Sequence, residues 1–138
     1  MKEFYVYASS SATSKHPENK CGDFTLSLPH SIDLNDGEWK VGLCDFTYVG
    51  DKKTLVPDIF LCTDIIELNY DSTTSLPILR FLERETSPGQ QTFANIYYCT
   101  VKPKQLETIR LYLNSTEKVI PSVEDTAVFC TLHFKQNG

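Results

Sequence analysis

Three histidines and five cysteines hold most of the reactive chemistry this chain could offer, as general bases, metal ligands or nucleophiles. His16, His30 and His133 lie far apart, and no two of them have the spacing of a metal-binding pair. Cys21, Cys44, Cys62, Cys99 and Cys130 are odd in number and equally dispersed, so no zinc-knuckle pattern forms. Cys44, Cys62, Cys99 and Cys130 fall within apolar strand-like runs, where a reduced thiol behaves as a small hydrophobe. Cysteine–histidine catalysis would need the very thiols that this pattern buries. Carboxylates are scattered, with Glu83 and Glu85 the one candidate pair, and a solvated strand face accounts for them. Asp64 shares the parity of Phe60, Cys62, Ile66 and Leu68, which requires either a basic or backbone partner or a strand that leaves the core there. With six glycines in all, the chain has no phosphate-binding glycine loop or nucleotide fingerprint, and it lacks a nucleophile elbow. The expectation is a protein that is not an enzyme, with no catalytic residue, no metal site and no cofactor.

Charge and length narrow the class further. The formal charge of −5 and pI near 5.1 argue against nucleic acid or an anionic membrane as partner, and Lys52 with Lys53 is the only adjacent basic pair. At 138 residues the chain reads as one domain, 1–138, with no disulfide or metal staple required. Met1 leads directly into a strand pattern with no charged n-region or apolar h-region, so synthesis in the reducing cytosol is expected, without secretion or a membrane span. The sequon at Asn114, Ser115 and Thr116 is then incidental.

The elements that would position these residues are strands. Aromatic residues make up 12% of the chain, a composition that suits pleated, half-buried surfaces. Eight short stretches with two-residue periodicity run from Phe4 to Phe134: Glu3 to Ala8, Asp23 to Leu28, Glu38 to Val49, Ile59 to Asn69, Leu76 to Arg84, Thr92 to Val101, Gln105 to Asn114 and Thr126 to Lys135. In the third, Trp39, Val41 and Leu43 share one parity and Cys44, Phe46 and Tyr48 the other, which predicts a bulge at about Cys44 or a strand covered on both faces. A further extended piece is expected at Ile32 to Leu34, before the Asn35-Asp36-Gly37 turn. Gln105 to Leu113 also fits a helical period, but the Ile-Arg-Leu-Tyr-Leu alternation favours strand. The loop Ser9 to Gly22 reads as mobile or ligand-facing.

These residues resemble a family. FYVYASSSATSKHPENKCGDFTLSLPHSIDLNDGEWKVGLCDFTYV, from Phe4 to Val49, is similar to the N-terminal block of penton (minor capsid) proteins of Maverick/Polinton elements and adintoviruses. Ile59 to Ile66 (IFLCTDII), Pro77 to Arg80 (PILR) and the closing run from Leu106 to Lys135 follow in the family's order. The chain departs from the pattern in having only Gly50 to Asp58 where family members often carry a long insertion such as a protruding domain. The resemblance implies a single jelly roll assembling as a homopentamer at the fivefold vertices of an icosahedral virion, beside the major capsid protein. A host receptor bound through the loops is a separate candidate partner, tied to a spike-like role.

Eight strands is also the jelly-roll number on independent grounds, giving an all-β sandwich of two four-stranded antiparallel sheets. That topology places the first, third, sixth and eighth strands in one sheet and the second, fourth, fifth and seventh in the other. The loops Ser9 to Gly22, Gly50 to Asp58, Glu85 to Gln91 and Ser115 to Asp125 then gather at one end. Ring closure needs complementary flanks, and Tyr5, Tyr7, Tyr98, Phe129 and His133 are the candidate interface because they oppose the inferred core face of their strands. The alternative is a monomeric or trimeric recognition module, either a spike head or a domesticated viral-derived binding protein. An enzyme reading would gain if His16 or His133 met a cysteine or carboxylate within a cleft.

Overall fold

The computed structural model describes residues 2–11, 16–19, 22–49, 59–70, 75–82, 90–115 and 127–136. Cys21, Lys52, Lys53, Glu83, Glu85 and most of the four loops expected at one end lie outside the described residues. Two sheets face each other. In the first, β1 (Glu3–Ser9) pairs with β11 (Ala127–Gln136), which pairs with β3 (Trp39–Val49), and β3 in turn carries both β8 (Gln90–Thr92) and β9 (Cys99–Thr100). In the second, the order is β2 (Asp23–Asp33), β10 (Gln105–Ser115), β4 (Ile59–Thr63) and β7 (Ile78–Leu82). A two-residue ribbon of β5 (Asn69–Tyr70) and β6 (Ser75–Leu76) stands apart. All pairings are antiparallel. With β8 and β9 as two pieces of one position, this is the jelly-roll partition expected from strand order, and no helix occurs among the described residues.

Alternation builds the core. Val6 and Ala8 of β1, Phe24 of β2, Val41 and Leu43 of β3, Ile109, Leu111 and Leu113 of β10, and Val128, Cys130, Leu132 and Phe134 of β11 point between the sheets and are buried. Each large side chain removed from water in this way contributes roughly 1.5–3 kcal/mol. Phe4 stacks on Phe134 with centroids 4.7 Å apart, and the buried Trp39 indole packs tilted against Phe4 at 5.5 Å while its Nε1 donates to Asp36 Oδ1 at 2.9 Å. The parity change in β3 is a bulge: Leu43 pairs with Leu132 and Asp45 with Thr131, so Cys44 is the extra residue.

Four expected elements differ in detail. The fourth strand stops at Thr63 because Asp64 turns the chain, its backbone N–H donating to the Arg110 carbonyl at 3.3 Å and its carboxylate accepting from the Arg110 N–H at 3.0 Å. Pro77 interrupts the fifth expected strand between β6 and β7, and its carbonyl accepts the Thr63 N–H at 3.0 Å. The second strand runs on to Asp33 in one piece, absorbing the extended segment through a register break in which β2 loops out between Ser27 and Ile32. The sixth splits, with residues 93–98 leaving the sheet between β8 and β9. Gln105–Ser115 is strand.

Candidate functional surface

The odd-numbered residues of β1 and β11 share the outer face of the first sheet. Register places Tyr5 opposite His133, Tyr7 opposite Thr131 and Ser9 opposite Phe129, so Tyr7 and Phe129 are diagonal neighbours. Tyr5, Tyr7 and Phe129 stand 49%, 79% and 41% exposed, unusually wet for rings of that size. Tyr98, carried by the segment that leaves the sheet, is half-buried, and His133 beneath it is buried. All five residues singled out in the sequence therefore lie on one face, but three of them offer exposed rings while His133 forms part of the floor.

The floor is a hydrogen-bonded network. Tyr98 Oη lies 2.8 Å from His133 Nδ1, and His133 Nε2 lies 3.1 Å from Glu3 Oε2. A neutral imidazole with its proton on Nε2 satisfies both contacts, donating to Glu3 and accepting from the Tyr98 hydroxyl. Tyr5 stacks on the imidazole at 4.5 Å, and Lys135 Nζ sits 3.9 Å above the Tyr98 ring. His133 thus meets a carboxylate, but both ring nitrogens are committed and two aromatic rings cover it, which leaves neither nitrogen to take a proton from a substrate.

Alternation did not reveal Gly42. On this face a Cβ at position 42 would collide with Ile96 Cγ2 and come within 3.0 Å of the Tyr97 carbonyl and 3.1 Å of Tyr98 Cδ1. The absence of a side chain there lets residues 96–98 lie across β3 and deliver Tyr98 to His133. A glycine in mid-strand is the signal for such a close approach. On the inter-sheet side of the same edge, the Arg80 guanidinium of β7 lies 3.8 Å from the Phe93 ring centroid and 4.6 Å from that of Tyr97, and donates to the Asn95 carbonyl at 2.6 Å. Arg80 closes that seam of the sandwich.

A second polar cluster lies along β2. His16 Nε2 is 2.7 Å from Ser27 Oγ, and Glu18 Oε1 is 3.6 Å from His16 Nδ1. Asn19 both donates to the Thr25 carbonyl at 2.7 Å and accepts the Thr25 N–H at 2.9 Å. The composition is that of a serine triad, but the carboxylate is beyond hydrogen-bond reach and 71% exposed, so it cannot hold the ring or shield a proton transfer. These contacts instead fasten residues 16–19 of the loop to the strand. Nearby, Arg110 grips Asp23 bidentately at 2.9 and 2.8 Å. Among the described residues, no group of three or more His, Cys, Asp or Glu could hold a metal ion. His30 is exposed on β2.

Among the described residues Cys44, Cys62 and Cys130 are free thiols, and the Cys99 thiol donates to the Ile78 carbonyl at 3.9 Å. Burial pushes Cys130 up to about 12 and Cys62 to about 11, so neither is a nucleophile at neutral pH. Between β1 and β2, the other seam of the sandwich remains a groove of about 450 Å³, floored by Phe4, Val6, Leu26, Leu28 and Ile32.

No protein-family model matches the sequence, and no curated protein matches it. Among solved structures, the crystal structure of the mavirus penton protein matches with a TM-score of 0.65, covering 99% of this chain and 100% of that one. The two sequences are 6% identical, so the likeness is one of fold.

Proposed function

We propose that the protein is a structural subunit of a viral shell, a penton-type minor capsid protein that closes into a pentamer at fivefold vertices beside a major capsid protein. The observation that carries the reading is the jelly-roll topology, shared over the whole length of both chains with the mavirus penton protein. Ring contacts between copies are heterologous, so one flank must present a surface that a different flank of the next copy accepts. Tyr5, Tyr7 and Phe129 supply such a flank, with large rings and polar tips. Tyr98 and His133 support it from below by holding Tyr5 in place. On this reading the protein is made in the cytosol and works in the virion, and no catalytic role is assigned to it.

The test is the mass of the purified protein in solution. Mass photometry and light scattering are expected to find stable pentamers. A strict monomer or a trimer at high concentration overturns the vertex assignment and leaves a recognition module in its place.

A further inference from the structure

We propose that the free edge of β1, together with the groove beside it, receives an extended, uncharged segment of another protein chain as an added strand. The inference does not depend on the shell reading. Its basis is the hydrogen-bond parity of β1. The Ser10 N–H donates to the Val128 carbonyl and the Gln136 N–H to the Lys2 carbonyl, each at 3.0 Å, and both pairs continue the β1–β11 register. The even-numbered residues therefore exchange backbone bonds with β11, and the N–H and C=O groups of Glu3, Tyr5, Tyr7 and Ser9 point away from the sheet. Among the described residues these outward groups have no partner.

The edges at β2 and at β8 and β9 are occupied or broken. On β2 the equivalent outward groups of Thr25 are both taken by Asn19, and the strand loops out between Ser27 and Ile32. At the opposite seam β8 and β9 are short pieces of three and two residues, and Arg80 fills the space between the sheets. β1 offers seven residues without interruption.

The groove sets the chemistry of the occupant. A strand added to β1 would send alternate side chains between the sheets, over Leu26, Leu28 and Ile32, and the others outward beside Tyr5 and Tyr7. Among the described residues no Asp, Glu, Lys or Arg lines this groove, and its one histidine, His30, is exposed, so an inward charge on the guest would be buried without a counter-ion. Charge matching therefore selects a segment with small or branched apolar residues at every second position.

A capped heptapeptide alternating Thr and Val, with Val at the inward positions, serves as the probe. Titration into the full chain is expected to saturate and to slow amide exchange at Tyr5 and Tyr7 while leaving β2 unchanged. N-methylation of its Thr amides, which would face β1, should weaken binding by about tenfold or more, whereas N-methylation of the Val amides should not. Tyr7→Pro removes an outward N–H without touching the β11 ladder and should weaken binding, whereas Tyr7→Ala should retain it. Failure to saturate, equal affinity for the two methylated peptides, or protection elsewhere than β1 overturns the proposal. So does an edge already filled by a second copy, seen as a dimer that Tyr7→Pro dissociates. Apart from that dimer, which would also contradict the pentamer mass, these outcomes leave the pentamer untouched, so the two readings fail separately.

Discussion

Individual residues show where this sandwich is under tension. The Thr63 hydroxyl points into the core with no hydrogen-bond partner, opposite Leu111 on β10. An unpartnered buried hydroxyl costs about 1–3 kcal/mol, so Thr63→Val, nearly equal in volume, should stabilise the protein by about 1 kcal/mol in urea unfolding. Cys130 makes a pH prediction. Its folded pKa of about 12 lies above the ordinary thiol value of 9.0, so the folded state prefers the protonated form. That preference is fully present below pH 9.0 and is lost as pH rises toward 12, and burial acts in the same direction on Tyr98 and Tyr112. Alkaline unfolding should be shallower in Cys130→Ala than in the parent, even though the substitution lowers stability at pH 7. Asp36 has the opposite sign. The Lys2 ammonium and the Trp39 N–H hold its carboxyl below the usual range, so its contribution is present above pH 3.8 and disappears as pH falls through the lower folded value. Asp36→Asn should flatten the acid limb of the stability curve, followed by tryptophan fluorescence.

Elements were legible in the sequence wherever local alternation decides the outcome. The bulge at Cys44 could be read because an extra residue flips the parity of everything after it, and Asp23 to Leu28 and Gln105 to Asn114 declared themselves through their apolar faces, although the run of β2 on to Asp33 did not. The sixth strand could not be read in this way. Its break at residues 93–98 depends on Arg80, distant in sequence, whose guanidinium holds Phe93 and Tyr97, and on Gly42, which leaves space for Ile96. Alternation along one segment carries no information about a cation supplied by another sheet. Gly42→Ala tests this account. Its methyl group would press on Ile96 and the Tyr97 carbonyl, with an expected loss of about 1–3 kcal/mol. Displacement of this segment should also withdraw Tyr98 from His133, which the imidazole proton shifts in NMR would report.

At the scale of the molecule, strand count and order were sufficient to partition the chain into its two sheets, because jelly-roll connections leave little freedom once eight strands are placed. The candidate flank was legible in part. Parity put Tyr5, Tyr7 and Phe129 on the outer face, yet parity alone cannot distinguish an exposed ring from a covered one, and His133 proves to be roofed by Tyr5 and Tyr98. The difference separates two kinds of variant. Substituting Tyr7 and Phe129 together by Asp adds charge to a surface already in water and should change the melting temperature little, since neither ring contributes to the core. If this flank joins copies, the same pair of charges would be desolvated in the ring without counter-ions, and the pentamer should dissociate by at least about a hundredfold in concentration. His133→Ala should show the reverse weighting, losing stability first and assembly only as Tyr5 loosens. A Tyr7→Asp, Phe129→Asp protein that folds normally and remains pentameric would move the ring contact to another face of the sandwich.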